Sequence, residues 1–301
     1  IQGSGLKNLA YQEVVTYAKN SFSNADFVQK INEKIDVENY FNFNIFQTYI
    51  SNVDYRGNVR FFKPKNGKWK WIVYDTDLAC GNDFNSRNFI QDRTLPKGQY
   101  WYNPSWSTSL LNSLLKNNEL RGQFINQYCY LLSSYLTPEN FDAKIDESVK
   151  EIEPELSTHF LRRNHIYSET ISSWQSNLKN LIQYFSKRKV SVYDHLIQTF
   201  GLSEPVNVTI GQNTNQFKGL KINNSSILTN KVNGLFFKEL PFQIEATNSN
   251  HLYTFKTWSN GITTPKTSII PGKLASIQAI YKHAEQSTYS NKLVLKRLYV
   301  N

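Results

Sequence analysis

Apolar residues recur at helical spacing through the first two-thirds of the chain. Residues 36–49 carry six large apolar side chains in this pattern, and Asp36 is placed as an N-cap. The same spacing predicts helices at 110–115, 124–135, 140–149, 171–185 and 190–200. Thr137-Pro138-Glu139 is typical of a helix start, and Gly201 of a helix end. A mainly helical region is therefore predicted, with a buried helix near its beginning.

Two short segments interrupt the helical pattern. Residues 58–64 and 69–75 alternate apolar and polar side chains on either side of Lys-Asn-Gly-Lys, which is a strong hairpin signal. Residues 82–109 show little periodicity and are rich in Asn, Arg, Tyr, Trp and Pro. We predict a β-hairpin followed by a long connection, and connections of this length are often functional.

The pattern changes after Glu204 and Pro205. Short β-type segments, separated by Asn, Gly, Ser and Pro, occur at 206–210, 220–227, 235–247, 252–259, 274–282 and 292–300. Six such segments predict a small β-sandwich. We therefore predict an α+β protein with two domains, residues 1–203 and residues 204–301.

Composition and charge exclude several classes of protein. The chain is 40% hydrophobic and 14% aromatic, as in a folded globular protein, and no stretch approaches the roughly 18 apolar residues of a membrane span. Of the net charge of +10, +7 falls on the residues from 204 onward. No dense basic run with interleaved aromatics appears, so nucleic-acid binding is not expected. Cys80 and Cys129 are too few for a disulfide framework, and we expect buried free thiols.

Two clusters of polar side chains flank the predicted hairpin: Asp54 with Asn58, and Asp75 with Asp77. Phosphoryl transfer needs a carboxylate that orients the attacking hydroxyl, and an amide and a carboxylate that hold a divalent metal. The order of helix, Asp-to-Asn loop, hairpin and Asp is also the order of these groups in protein kinases. Asp and Asn are enriched in any turn, however, so an alternative is that Asp54 and Asn58 cap a turn containing Gly57 and that Asp77 caps the segment after it.

Basic side chains surround both clusters: Arg56, Arg60, Lys63, Lys65, Lys68 and Lys70. They could meet phosphate or an acidic protein, but a charge run on a hairpin is usually a solvated face, and we favour that interpretation. Trp69 and Trp71 alternate with lysines, so we expect one face of the hairpin to pack on the core.

Several separated segments resemble the CotH family of spore-coat and secreted proteins, which are atypical protein kinases. They are ENYFNFNIFQTYISNVDYRGNVRFF, NGKWKWIVYDTDLACG, LLKNNELRGQFINQYCYLL, IEPELSTHFLRR and YFSKRKVSVYDHLIQTFGL. They occur in the family's order and cover residues 5–202. The resemblance implies a fold like a kinase C-lobe for the helical domain.

The resemblance also implies roles for the polar clusters. Asp54 takes the role of the catalytic Asp, Asn58 that of the metal-binding Asn, and Asp75 or Asp77 that of the Asp that binds Mg²⁺ (or Mn²⁺) beside the phosphates of ATP. We favour Asp77, because DLACG resembles the kinase Asp-Phe-Gly element with an insertion. If the strand is regular, Asp75 and Asp77 point to the same side and share the site, where like charges favour a divalent cation.

The implied activity is that of a Ser/Thr protein kinase, which transfers the γ-phosphoryl group of ATP to protein hydroxyls. In the family, the glycine-rich cover over the phosphates and a Lys–Glu pair lie upstream of this region, and nothing in residues 1–36 resembles them. The chain begins Ile1-Gln2-Gly3 without an initiator Met, so we expect an excerpt of a longer protein without its nucleotide-binding lobe. We expect this excerpt to bind ATP weakly and to be inactive.

Expected partners are a protein substrate with a Ser or Thr acceptor, or a cell-surface or coat protein. We expect a secreted or surface-associated bacterial protein, with the spore coat as one location. The basic residues 204–301 could contact a glycan or an anionic cell-wall polymer. Trp258 with Phe255 could form a sugar platform, although a lone Trp in a sandwich is more often core. The rival hypothesis is a structural or binding protein with a catalytically silent kinase-like fold.

Overall fold

The structure is a computed structural model that describes residues 5–54, 58–81, 85–94, 105–163, 170–223, 225–227, 229–248 and 252–283. Within these ranges the helices are α1 Gly5–Ser21, α2 Phe27–Lys34, α3 Val37–Tyr49, α4 Phe89–Thr94, α5 Ser105–Leu114, α6 Asn118–Ser134, α7 Pro138–Arg163 and α8 Ile171–Phe200. The strands are β1 Arg60–Phe62, β2 Lys70–Ile72, β3 Pro205–Gln212, β4 Leu220–Ile222, β5 Ser225–Ser226, β6 Lys231–Phe237, β7 Phe242–Ala246, β8 Tyr253–Trp258, β9 Lys266–Ile269 and β10 Ser276–His283. The predicted α+β class is confirmed.

Helix α3 lies at the centre of the helical region. Its predicted N-cap is confirmed, because the Asp36 carboxylate accepts a hydrogen bond from the backbone N–H of Asn39 at 3.1 Å. Most of its side chains are buried, and Phe41 meets Phe124 of α6 edge to face at 5.3 Å. A helix that is buried on nearly all sides needs partners for its polar groups, and Thr48 Oγ1 donates to the Asn44 carbonyl at 2.9 Å. The Thr48 hydroxyl also contacts the Tyr128 hydroxyl at 3.1 Å, which holds the end of α3 against α6.

The predicted hairpin is present, with Phe61 opposite Trp71 in an antiparallel pair. Asn66 adopts the left-handed conformation at φ 63° in the turn, which Asn tolerates better than most residues. The expected apolar face is confirmed: Trp69 and Trp71 are buried, and the Phe61 ring lies 4.5 Å from that of Tyr11 in α1. Both strands have only three residues and are shorter than the alternation predicts.

The two predicted helices at 171–185 and 190–200 form a single helix, α8, of 30 residues. The polar run Lys187-Arg188-Lys189 interrupts the apolar pattern, but the Arg188 side chain is fully buried and the helix continues through it. Gly201 ends the helix in the left-handed conformation at φ 65°, as predicted. Helix α4 lies within the predicted connection 82–109, of which residues 82–84 and 95–104 are outside the described ranges.

The C-terminal region contains two four-stranded sheets, with orders β6-β3-β10-β8 and β5-β4-β7-β9. Strands β3 and β10 pair in parallel, and the other pairs are antiparallel. Phe236 of the first sheet stacks on Phe242 of the second at 4.6 Å. Trp258 is fully buried and Phe255 nearly so, which confirms the core position and argues against a sugar platform at these residues.

Some details of the strand prediction differ from the structure. Strand β9 was not predicted, and the segment 235–247 forms two strands, separated by a turn after Phe237. The predicted strand at 292–300 lies outside the described residues. Helix α8 ends at Phe200 and β3 begins at Pro205, while the division of the chain into two domains stays a prediction.

Helix α6 packs against β6, and side chains link the helical and β regions. Asn126 Nδ2 donates to the Pro241 carbonyl at 3.0 Å, and the Tyr130 hydroxyl to the Ser226 carbonyl at 3.1 Å. The closest approach is at Gly234, where an added Cβ would lie 2.2 Å from Oγ of Ser133.

None of the helices in the described ranges combines the length and apolar character that a membrane crossing requires.

Replacing Gly234 by Ala is expected to destabilise the protein by about 1–3 kcal/mol, because the methyl group overlaps Ser133 at the contact between α6 and β6. Gly211→Ala in the neighbouring strand is the matched control, since its Cβ would lie at an ordinary distance of 3.5 Å from the Asn230 carbonyl. Denaturant unfolding measures both variants. Equal stability of Gly234→Ala and the parent would contradict the close packing.

The buried His195 of α8 predicts a loss of stability in acid. Burial, and to a smaller extent the positive charge of Arg188, lowers the pKa of His195 from 6.5 to about 4. Between these values the unfolded chain binds a proton that the folded protein does not, so stability falls as the pH falls from about 6.5 to about 4, by up to about 3 kcal/mol.

His195→Gln removes the titrating ring and is expected to reduce this pH dependence in unfolding experiments. His159→Gln, at an exposed position on α7, serves as the control and should keep the pH dependence of the parent. An unchanged pH dependence in His195→Gln would show that the ring binds a proton in the folded state.

Candidate functional site

Asp54 lies in a short irregular segment after the end of α3, and buried side chains fix the position of this segment. Asn52 is buried, donates to the Gln47 side chain at 2.8 Å and accepts a hydrogen bond from the backbone N–H of Asp54 at 2.9 Å. Asn58 Nδ2 in turn donates to Oδ2 of Asp54 at 2.8 Å. The structure therefore places Asp54 and Asn58 in direct contact. Residues 55–57, including Arg56 and Gly57, lie outside the described ranges.

Asp75 and Asp77 are exposed and do not lie on a regular strand. Strand β2 ends at Ile72, and Asp75 adopts the left-handed conformation at φ 50°, so the expected strand through both residues is wrong. The two carboxylates are nevertheless neighbours, and the hydrogen bond between their side chains raises the pKa of Asp75. The negative charge of Asp54 raises the pKa of Asp75 further, by a smaller amount. The cluster of Asp54 and Asn58 therefore lies within electrostatic range of the cluster of Asp75 and Asp77.

Two backbone hydrogen bonds join the segments that carry the clusters. The N–H of Val53 donates to the Leu78 carbonyl at 3.2 Å, and the N–H of Cys80 donates to the Ile50 carbonyl at 2.8 Å. Cys80 adopts the left-handed conformation at φ 58° at this point. These bonds hold the residues before Asp54 against those after Asp77. Spacing along the chain alone does not predict this contact.

A buried arginine fixes the end of α3, where the first of these segments begins. Arg188 of α8 donates from Nε to the Tyr49 carbonyl and from an Nη atom to the Thr48 carbonyl, both at 2.7 Å. The Tyr184 hydroxyl donates to the same Tyr49 carbonyl at 2.7 Å and contacts Oγ of Ser51 at 2.8 Å. A cation at the C-terminal end of a helix is favoured by the helix dipole.

Arg188 also reaches the chain beyond Asp77, where it donates to the Asn85 carbonyl at 3.3 Å. Tyr184 and Arg188 were not predicted as functional residues. The available signal was the i, i+4 spacing of Tyr184, Arg188 and Val192, which places all three on one buried face of α8. A charged residue on such a face indicates a specific polar partner inside the protein.

The cysteines do not act as nucleophiles in this arrangement. Burial raises the pKa of Cys80 to about 12, although the charge of Arg188 opposes the shift, so its thiol stays protonated near neutral pH. Cys129 is fully buried, and burial also raises the pKa of its thiol. Both cysteines are free, as predicted.

The oxygen donors of Asn58, Asp75 and Asp77 are of the type that Mg²⁺ and Mn²⁺ prefer. In the part of the chain that the structure describes, no group of three or more His, Cys, Asp or Glu side chains is arranged to hold a metal ion. Mg²⁺ in phosphoryl-transfer sites is usually bound by one or two carboxylates, with phosphates and water completing its shell. The residues therefore fit a metal ion that arrives with a nucleotide, and do not fit a closed all-protein metal site.

Arg188→Met is expected to lower the free energy of unfolding by about 3 kcal/mol or more, because it leaves buried carbonyls of α3 without donors. Lys187→Met removes a charge from an adjacent, exposed position of the same helix and should change stability by less than about 0.5 kcal/mol. Chemical denaturation of the two variants gives the comparison. Equal stabilities would contradict the role of Arg188 as the anchor of α3.

Comparison with known proteins identifies the family of this chain. A family model described as CotH kinase protein matches residues 4–192, which is more than half of the chain. A search of curated proteins returns no match. The matched range includes both polar clusters, the hairpin, and Tyr184 and Arg188 of α8. The chain belongs to the CotH kinase protein family.

Proposed function

We propose that this protein is an atypical Ser/Thr protein kinase, which transfers the γ-phosphoryl group of ATP to a protein hydroxyl. The observation that supports the proposal most is the convergence of two separate segments. Asp54 contacts Asn58, and the segment that carries Asp77 is bonded through Leu78 and Cys80 to the residues that precede Asp54. Membership of the CotH kinase protein family supports the same activity.

In this proposal Asp54 is the catalytic carboxylate. It orients the Ser or Thr hydroxyl and accepts its proton as the hydroxyl oxygen bonds to the γ-phosphorus and the bond to the bridging oxygen of ADP breaks. The hydrogen bond from Asn58 fixes the rotation of the Asp54 carboxylate. The bond from the Asp54 N–H to Asn52 fixes the backbone. Because most of the catalysis in such reactions is positioning, these two bonds are part of the mechanism.

Asn58 and Asp77, with Asp75 beside them, would hold Mg²⁺ or Mn²⁺. The ion would neutralise negative charge on the phosphates when it is bound with ATP. Asp75 and Asp77 are close enough for one to raise the pKa of the other, and a divalent cation relieves this repulsion between like charges. We favour Asp77 as the direct ligand, because its segment is bonded to that of Asp54.

We further propose that residues 1–203 form the kinase-like domain and that residues 204–301 form an accessory β-sandwich. The protein substrate presents a Ser or Thr acceptor, and the location is secreted or at the cell surface, including the spore coat. The basic character of residues 204–301 suits contact with an anionic cell-wall polymer or a glycan.

A second candidate function is a structural or binding role without catalysis. Two observations favour it: the described residues provide no closed metal site, and Asp75 and Asp77 are exposed to solvent. In that case the polar clusters serve as turn caps, and the kinase-like fold presents a surface to a protein or glycan partner.

Asp54→Asn and Asp77→Asn are each expected to reduce phosphoryl transfer by about 100-fold or more, because one removes the proton acceptor and the other a metal ligand. The assay uses the full-length protein and measures transfer from labelled ATP with Mg²⁺ to a Ser-rich basic peptide. Asp146→Asn, an exposed position on α7, is the control and should leave the rate unchanged. Transfer by Asp54→Asn and Asp77→Asn at the rate of the parent would contradict the proposed kinase and favour the binding role.

A further inference from the structure

The outward face of the hairpin carries large apolar side chains where a solvent-facing sheet is normally polar. Phe62, Ile72, Val73, Tyr74 and Leu78 are each between 44% and 50% exposed, and all lie within 17 residues of sequence. The register places two of them, Phe62 and Ile72, on the outer face of the hairpin, and the other three follow the end of β2. Arg60 is opposite Ile72 and Phe62 is opposite Lys70, so these four side chains project from the face opposite to Phe61 and Trp71.

The inner face of the hairpin holds this apolar surface in place. Trp71 lies 4.2 Å from the ring of Tyr40 in α3, and Phe61 lies 4.5 Å from that of Tyr11 in α1. The Arg60 guanidinium lies over the Tyr74 ring at 4.8 Å and limits its movement. The exposed side chains are therefore presented on a firmly packed hairpin.

The hairpin itself carries charge of one sign, whereas the exposed Asp75 and Asp77 follow it in the chain. Residues 58–74 include five basic side chains and no acidic one. Lys70 pairs with Asp36 at 3.2 Å, whereas Lys63, Lys65 and Lys68 take part in none of the ion pairs found in the described ranges. A partner that covers the apolar side chains also meets these lysines, so charge complementarity requires it to be acidic.

The strand edges indicate the conformation of the partner. The outer edge of β2 is capped, because Trp71 donates its N–H to Oδ1 of Asn39 at 2.6 Å and accepts at its carbonyl from Nδ2 of Asn39 at 3.1 Å. Within the described ranges, β1 pairs with β2 alone. Because Phe61 is opposite Trp71, its backbone N–H and C=O also point away from the hairpin. An extended segment can therefore add at this residue of β1, where main-chain hydrogen bonds supply affinity and alternate side chains supply specificity.

We propose that the hairpin is a docking site for an extended, acidic segment of a partner protein, in which acidic residues alternate with apolar ones. The apolar side chains cover Phe62, Ile72 and Tyr74, and the acidic ones meet Lys63, Lys65 and Lys68. The site adjoins Asp75, so a docked protein is held beside the polar clusters. The docking does not depend on phosphoryl transfer and is tested by binding alone.

The test measures binding of fluorescent synthetic peptides to the protein. A peptide that alternates Glu with Leu is expected to bind, and peptides that alternate Lys with Leu or Glu with Ser are expected to bind about tenfold more weakly or worse. Added salt should weaken the binding of the Glu-Leu peptide. Equal binding of the Glu-Leu and Lys-Leu peptides would overturn the proposal.

Variants locate the site. The double variant Phe62→Ser and Ile72→Ser should weaken binding of the Glu-Leu peptide by about tenfold, with the melting temperature unchanged because both side chains are exposed. Leu161→Ser, at a 74% exposed position on α7, is the matched control and should bind as the parent does. Undiminished binding in the double variant overturns the proposal. Binding to vesicles of phosphatidylserine and phosphatidylcholine without binding to the peptide also overturns it, in favour of a lipid surface.

Discussion

The candidate site depends on one buried cation. Arg188 is fully buried in α8 and donates hydrogen bonds to the carbonyls of Thr48, Tyr49 and Asn85. Removing a guanidinium from water is costly unless its donors are satisfied. The last turn of a helix provides carbonyls that lack helical partners and carry partial negative charge. Arg188 therefore needs the carbonyls at the end of α3 as acceptors, and these carbonyls need Arg188 as a donor. Through this contact α8 fixes the point at which the chain leaves α3 toward Asp54.

The backbone that brings the carboxylates of Asp54, Asp75 and Asp77 together is irregular. Ser51, Asp75 and Cys80 adopt the left-handed conformation at φ values of 53°, 50° and 58°, which costs about 1 kcal/mol or more for each residue other than glycine. Such strain persists only where the surroundings fix it, and here the hydrogen bonds of Ile50 with Cys80 and of Val53 with Leu78 do so. Pre-organisation of this kind suits a site whose proposed chemistry is largely positioning.

Much of the fold can be predicted from local signals in the sequence. The Asp36 cap, the Asn66 turn and the Gly201 helix end each depend on a residue type whose backbone preference is strong, and the structure confirms them. The continuity of α8 could not be predicted, because three consecutive basic residues at its centre are typical of a solvent-exposed connection between two helices. Only the structure shows that Arg188 is buried and donates to carbonyls of α3. The end of β2 at Ile72 has no local signal either, since the residues after it are held by hydrogen bonds of Leu78 and Cys80 with a distant segment.

The candidate site was only partly predictable for the same reason. The spacing of Asp54 and Asn58 predicts that they lie near each other, because four residues of one loop separate little in space. The approach of Asp75 and Asp77 to that pair depends on non-local hydrogen bonds of Leu78 and Cys80. Tyr184 and Arg188, more than 100 residues away in sequence, carry no motif of their own. Local patterns predict caps and turns, whereas the convergence of segments is set by tertiary packing.

We infer that Asp54, Asn58 and Asp77 form one centre for a divalent ion and phosphate. A crystal grown with Mn²⁺ and a non-hydrolysable ATP analogue tests it directly through the anomalous scattering of manganese. We predict an anomalous peak within about 2.5 Å of oxygens of Asn58 and Asp77. Bound manganese at any other position, with none between these two side chains, would contradict the claim.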